Sequence, residues 1–285
     1  MNTGRKYFRE LIVITLILLN LLVWTVVLVK KPGETLRVHF LDVGQGDAIL
    51  IDTPTHQRML IDGGANRRVL SEIGKIVPFF DREIDVVLAT HPDRDHIGGL
   101  PEVVTRYNVE VFIEPGVISD NTIDAELHKR LTEHEIPILT ARKGMRIDFG
   151  DGVKLLVLFP DKDVSGWETN DASIVARLDY GESSFLLTGD SPKKIEYSLL
   201  ALGDEILESD VLKAGHHGSR TSTSLLFAEV ISPSYAVISA GKDNSYGHPH
   251  KEVLDILNQI GAEIVGTAEQ GTITFETNGT ELYLK

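Results

Sequence analysis

Apolar and polar residues alternate along much of the chain in short runs of period two, separated by turn residues and interleaved with stretches whose apolar positions recur every three to four residues. LRVHFL (36–41) alternates like a strand, and residues 48–52 and 58–62 follow as two more strands around the turn Thr53-Pro54-Thr55-His56-Gln57. Val69, Ile73, Ile76 and Val77 have helical spacing, and the β-branched run 84–89 reads as a strand. Further strands are predicted over 109–113, 136–139 and 153–159, with a helix over 124–133 that turns Leu127 and Leu131 inward. The run 153–159 is almost wholly apolar, which suits a strand covered on both faces. Residues 173–178 and 184–188 form a hairpin about Asp179-Tyr180-Gly181-Glu182, and a helix follows Pro192. Strand 210–214, helix 223–231, strand 235–239, helix 251–260 and strands 264–266, 272–276 and 281–284 complete the pattern. Hairpins occur in both halves, so one parallel sheet fits poorly; two mixed sheets stacked face to face with helices outside fit better.

One segment breaks the pattern. Residues 11–29 are nineteen positions of Leu, Ile and Val interrupted only by Thr15, Asn20, Trp24 and Thr25. As a helix this run covers about 28 Å, close to the thickness of a bilayer's hydrocarbon. It exits through Val29-Lys30-Lys31-Pro32-Gly33 without a small-residue cleavage pattern, so an uncleaved signal anchor is favoured over a removed leader. Arg5, Lys6 and Arg9 precede the run while Lys30 and Lys31 follow it, a balance that places the amino terminus in the cytoplasm. Residues 1–35 therefore read as membrane anchor and linker. Residues 36–285 read as one domain of a single-pass cytoplasmic-membrane protein, on the extracytoplasmic side.

Charge narrows the choice of partners. The chain of 285 residues has a formal charge of −14, and without its first 35 residues, which hold five basic and two acidic side chains, the remainder stands at −17. No general polyanion-binding surface is implied, so a nucleic-acid substrate needs a local basic groove or metal ions. The absence of cysteine removes disulfides and thiolate ligands.

Candidate chemistry centres on Thr90-His91-Pro92-Asp93-Arg94-Asp95-His96-Ile97-Gly98-Gly99, between a strand and a helix. Its two imidazoles and two carboxylates within six residues suit zinc, manganese or iron rather than a sulfur-rich site. His91 and Asp93 alternate along extended backbone and face one ion in this reading, while Asp95 and His96 face another. Asp190, just beyond Gly189 at a strand end, is placed to bridge two ions and fix their separation. Gly215-His216-His217-Gly218 also ends a strand. Neighbouring side chains there point to opposite sides, so His216 is assigned to metal and His217 to substrate or to support of a ligand. Pro249 stiffens the loop that carries His248, a candidate ligand or proton donor. Lys213, Ser219, Arg220 and Ser222 ring the His216 loop and are candidates for gripping phosphate oxygens. His39, His56, His128 and His134 suggest nothing beyond structure or solvent contact.

Six blocks in order, FLDVGQGDAILI (40–51), LIDGG (60–64), THPDRDHIGGL (90–100), FLLTGD (185–190), DVLKAGHHGS (210–219) and AVISAGKDNSYGHPH (236–250), resemble the metallo-β-lactamase-like domain of ComEC-type DNA-uptake proteins. The resemblance implies an α/β fold of four layers, αββα, with metal ions at the sheet edges. It carries metal-ligand roles to His91, Asp93, Asp95, His96, Asp190 and His216, makes Asp42 a carboxylate that orients a ligand, and places Asp93 where the wider superfamily has a second His. Where a further His ligand is usual before Asp190, this chain offers Asn170, Asp171 and Ser173, with Asn170 expected to support a ligand. The activity expected is hydrolysis of a phosphodiester, in DNA or RNA, by water activated on one or two zinc or manganese ions. Asp95 then accepts the water's proton, and His217, Lys213 or His248 steadies the transition state. Rival readings are a hydrolase of cell-envelope phosphodiesters or small esters, and a non-catalytic membrane-anchored binding module or competence accessory.

Overall fold

The structure is a computed structural model that describes residues 3–29 and 33–285, without the side chains of residues 3–6, 22 and 25–29. Strands β1 (Leu36–Phe40), β2 (Ile49–Asp52), β3 (Arg58–Ile61), β4 (Glu83–Leu88), β5 (Asn108–Glu114) and β6 (Ile138–Thr140) belong to the first half of the chain. The second half supplies β7 (Arg146–Asp148), β8 (Val153–Phe159), β9 (Val175–Tyr180), β10 (Ser183–Leu187), β11 (Val211–Lys213), β12 (Tyr235–Ile238), β13 (Glu263–Gly266), β14 (Ile273–Thr277) and β15 (Leu282–Leu284). Among the described residues they form one sheet of eight strands, ordered β15-β14-β1-β2-β3-β4-β5-β6, and one of seven, ordered β13-β12-β11-β10-β9-β8-β7. Each sheet is mixed: β1, β2 and β3 pair antiparallel, whereas β3-β4-β5-β6 and β10-β11-β12-β13 run parallel.

The period of two decides which core each side chain enters. On β2, Ile49 and Ile51 join Phe40, Met59, Leu155, Phe185 and Phe275 between the sheets, while Leu50 turns to the opposite side. There it meets Ile73, Val103 and Leu127 from the helices Arg68–Ile76, Leu100–Arg106 and Thr122–Glu133. A third core lies outside the other sheet, where Leu186, Leu212 and Ala236 pack against Ile195, Phe227 and Leu257 of the helices Lys193–Leu199, Leu225–Ile231 and Lys251–Gln259. Three apolar layers thus separate four layers of structure, the αββα arrangement expected.

Two departures from expectation concern elements with little to bury. Strand β7 was not anticipated, because its three residues are exposed or half-buried at a sheet edge and show no apolar run. The short helices Asp204–Leu207 and Thr267–Gln270 were likewise unforeseen, each being a single turn. The apolar segment expected to be helical lies within a helix over Thr3–Val29. Among the described residues no helix is long and apolar enough to cross a membrane, and the side chains of residues 22 and 25–29, on which the expected span partly rests, lie outside those described.

Candidate metal centre

The carboxyl ends of β3, β4, β10, β11 and β12 point to one end of the sandwich, where crossover loops leave room for a site. From β4 the chain passes through Thr90 and His91, then enters a single turn of helix at Arg94. A buried carboxylate fixes this loop: Asp62 accepts from the Thr90 backbone N–H at 2.7 Å and from the Thr90 hydroxyl at 2.7 Å, and its Oδ2 lies 2.7 Å from His96 Nδ1. A second loop closes from the side. Gly46 has φ of 110°, and a Cβ there would fall 1.9 Å from the Asp95 carbonyl oxygen, so only glycine lets the two loops touch. That approach brings in Asp47, whose N–H donates to the same carbonyl at 3.3 Å.

Asp190, buried beyond β10, is the hub. Its Oδ1 lies 3.3 Å from His96 Nε2, and its Oδ2 lies 3.5 Å from Nε2 of both His216 and His217 and 4.0 Å from Nε2 of His91. Two further carboxylates reach the same imidazoles: Asp93 Oδ2 lies 3.7 Å from His91 Nε2 and Asp95 Oδ2 lies 3.3 Å from His217 Nε2, while the rings of His91 and His96 stand 4.1 Å apart. Asp47, His96, Asp190 and His217, all buried, offer ligand atoms within 4.8 Å of one another.

The strand-end rule misled for the histidine pair. Strand β11 stops at Lys213, and His216 (φ 49°) and His217 (φ 56°) both adopt left-handed backbone, followed by Gly218 at φ 80°. That turn sends both rings toward Asp190 instead of to opposite sides, at a conformational cost that surrounding contacts must offset. His217 is the more deeply set; its Nδ1 lies 2.9 Å from the Ser239 carbonyl and 3.3 Å from Asp47 Oδ1. His217 therefore stands among the ligand-capable groups rather than apart from them.

The electrostatics follow from this crowding. Burial alone would depress the His96 imidazole, but Asp190 and Asp62 hold its pKa well above the ordinary value. His217, also desolvated, is pushed up to about 9 by Asp190 and Asp47. Burial would raise the Asp190 carboxyl, yet His217 and His96 keep it well below the carboxylate range. His91 and His216 move the other way: burial lowers both, His96 adding to the effect at His91, and their carboxylate neighbours do not reverse it. Nε2 of His91, His96 and His217, Oδ1 of Asp47 and Oδ1 of Asp190 are buried and make no hydrogen bond. Buried polar atoms ordinarily have partners, so five converging orphans of this chemistry fit divalent cations, whose charge the carboxylates would balance.

Other residues singled out in the sequence take different places. Asp42 orients no ring; it pairs with Arg68 and accepts from the Gly44 N–H, so the carboxylates behind the imidazoles are Asp62 and Asp47. Lys213 is fully buried, with Nζ 2.8 Å from Asp47 Oδ2 and donating to the Ala214 carbonyl, and does not face a phosphate. Ser222 donates to the Ser191 carbonyl, Ser219 accepts from Thr221, and Arg220 is exposed, so the anticipated phosphate-gripping ring does not assemble. His248 stands at the mouth, 5.6 Å from the His216 ring and 6.3 Å from that of His217, stacked with Tyr246. Asn170 reaches no ligand through a hydrogen bond, and its buried Oδ1 lacks a partner; Ser173 takes the supporting place, its hydroxyl 3.2 Å from His91 Nδ1 and accepting from the Asp190 N–H at 3.2 Å. Sequence reasoning passed over Asp47 and Asp62 because each sits beside turn glycines, where a carboxylate is ordinary. Asp62 directly follows a strand, and both residues lie inside the blocks FLDVGQGDAILI and LIDGG, which was the signal available.

A two-sheet αββα sandwich with clustered His and Asp at the strand ends defines the class of metal-dependent hydrolases built on this fold. Residues 41–242 match the metallo-β-lactamase superfamily, and the chain belongs to that family. It is 31% identical over 264 residues to ComE operon protein 3 of Bacillus subtilis, covering 86% of this chain and 33% of that one. It is 32% identical over 260 residues to Recombination protein 2 of Haemophilus influenzae, covering 89% of this chain and 30% of that one. The chain thus spans about a third of the length of these relatives. Among solved structures, the metallo-β-lactamase fold protein YhfI of Bacillus subtilis superposes with a TM-score of 0.56 at 14% identity, over 85% of this chain and all of that one, a likeness of fold.

Proposed function

We propose that this protein is a metal-dependent phosphodiesterase acting on DNA or RNA outside the cytoplasmic membrane, with residues 1–35 as a single-span anchor and linker and 36–285 as the hydrolase domain. The observation that carries the reading is Asp190, one buried carboxylate whose oxygens lie 3.3 to 4.0 Å from Nε2 of four histidines. His91, Asp93 and His216 would hold one zinc or manganese ion with it, and Asp95, His96 and His217 the other, with Asp47 beside them. Two divalent ions held there would supply an acidified water and charge neutralisation for the attacking and leaving oxygens at the phosphorus of a phosphodiester.

The chain's own residues do the rest. Asp62 holds His96 by its Nδ1, and the Ser239 carbonyl holds His217 in the same way, so both rings present Nε2 to the centre. Asp95, although burial opposes it, is lowered to about 2 by His217 and His96, so it is ionised at neutral pH and suited to a charged ligand more than to a strong base. His248, lowered to about 4 by burial and by His216, is a neutral imidazole at the mouth and is suited to hydrogen-bond a departing oxygen. The names of the relatives, which refer to a ComE operon and to recombination, agree with a nucleic-acid substrate.

A second reading is hydrolysis of cell-envelope phosphodiesters or small esters; the net charge of −14 favours the small esters over any long polyanion. The full chain, purified in detergent and loaded with Mn²⁺ or Zn²⁺, is expected to turn over single-stranded DNA, bis-p-nitrophenyl phosphate or both. Inactivity on both with metal bound overturns the phosphodiesterase, and turnover of an envelope polymer in preference to DNA favours the second reading.

A further inference from the structure

The loop after β8 and the helix Lys193–Leu199 border an open groove of about 490 Å³ whose lining includes Phe159, Lys162, Trp167, Asp171, Lys194 and Ile195. Its floor is apolar and buried: Phe159 is 4% and Ile195 5% exposed. The Trp167 ring lies 6.2 Å from that of Phe159 and receives Lys162 Nζ at 5.0 Å from its centroid, so a π face borders the cavity and a cation already sits against it. Lys194 pairs with Asp171, and Asp161 completes the charged rim. Two lysines against two aspartates make this rim locally neutral in a chain of charge −14, where a phosphate meets less repulsion than elsewhere.

The chain ties this cavity to the chemistry at both sides. Asp171 is two residues before Ser173, which touches His91 and the Asp190 N–H, and Lys194 is four residues after Asp190. An aromatic wall, a buried apolar floor and two rim ammonium groups are the parts needed to hold a planar heterocycle that carries a phosphate, with Lys162 leaving the Trp167 face as the base takes its place. Polyol-phosphate polymers have no ring to place there. We infer that this cavity is a nucleobase subsite, in which Trp167 stacks the base of the nucleotide flanking the scissile phosphate of a single-stranded nucleic acid. The inference rests on the phosphodiesterase reading above and names the substrate class for it.

The test compares wild type, W167F and W167A as full chains, using a single-stranded oligonucleotide and bis-p-nitrophenyl phosphate. Stacking of one base predicts that W167A lowers the ratio of kcat/KM for the oligonucleotide to kcat/KM for the small diester by about five- to a hundredfold, mostly through KM, with W167F near wild type. In a W24F background, which leaves Trp167 as the sole indole, oligonucleotide added without metal should quench fluorescence, and a glycerol-phosphate polymer should not. An unmoved ratio, absence of quenching, or equal quenching by the glycerol-phosphate polymer overturns the subsite. No turnover of either substrate by the metal-loaded wild type overturns the phosphodiesterase reading instead. Should W167A fail to fold, W167F and the fluorescence titration still decide.

Discussion

The two sides of the metal centre share Asp190 but are built differently behind their histidines. On one side, His96 is backed by the Asp62 carboxylate at 2.7 Å, and His217 by the Ser239 carbonyl with Asp47 close behind. On the other, among the described residues, His91 is backed by the hydroxyls of Thr90 and Ser173, at 3.0 and 3.2 Å, and His216 by that of Thr221 at 3.2 Å, with Asp62 reaching His91 only at one remove through the Thr90 hydroxyl. A carboxylate directly behind an imidazole raises its basicity and fixes which nitrogen faces the metal, whereas a hydroxyl between them adds little charge. The imidazole pKa directions differ accordingly: up for His96 and His217, where, against burial, Asp190 does most and Asp62 and Asp47 add to it, and down for His91 and His216, where burial prevails. Exposure divides them less: the Asp93 side chain is 40% and that of Asp95 30% exposed, and His91 is as buried as His96. If two ions bind as proposed, the difference predicts two positions of unequal strength about one carboxylate, a tighter one at Asp95, His96 and His217 and a looser one at His91, Asp93 and His216.

The largest expected effect tests what the sides have in common. Asp190→Ala should remove both ions by elemental analysis and lower turnover of bis-p-nitrophenyl phosphate on the order of a thousandfold or more, since it withdraws the shared charge; retention of one ion would show that the sides do not depend on a common bridge. Next, Asp62→Asn should weaken the tighter ion by roughly 10- to 100-fold in a competition titration with a chelator, while Ser173→Ala should change the looser one by less. Equal losses would abolish the asymmetry. Asp93→Ala should leave one ion per chain bound at chelator concentrations that strip both positions only partly from wild type, and a chain emptied of both would break the ranking. The smallest effect concerns a brace on the looser side, where His128 lies 3.0 Å from Glu114 and 3.3 Å from Asp124. Those acids push its pKa from 6.5 up to about 11. A raised folded pKa stabilises fully below the unfolded value, so the difference in urea midpoint between wild type and His128→Ala should be largest below pH 6.5 and shrink steadily as pH rises towards about 11. A difference independent of pH would mean that His128 acts by packing alone.

Much of this was legible before any coordinates, and the reasons are physical. Strands such as β2 and β10 bury side chains on both faces, so their apolar runs had no other explanation, whereas β7 buries almost nothing and left no trace. The loop 91–96 was legible because its four ligand-capable side chains are adjacent in sequence. Asp47 and Asp62 were not, because their partners Lys213, His217 and His96 come from distant positions and only folding makes those carboxylates scarce and buried. The error at His216 and His217 had a single source: the two-residue alternation of a strand was extended two residues past its last hydrogen-bonded position, into a left-handed turn. Lys213 was misread for a related reason, since a lysine before His-His looks exposed until its ammonium is found between Asp47 and a backbone carbonyl.

Strand β1 starts at Leu36 and delivers its far end, Phe40, to the loop that closes over Asp95. Five residues of strand amount to about 17 Å, and the six residues from 30 to 35 can add at most roughly 20 Å more. The strand that leads to the site-closing loop is thus also the one nearest the amino-terminal helix along the chain; were the proposed anchor in place, only this short connection would separate it from a strand whose opposite end serves the chemistry.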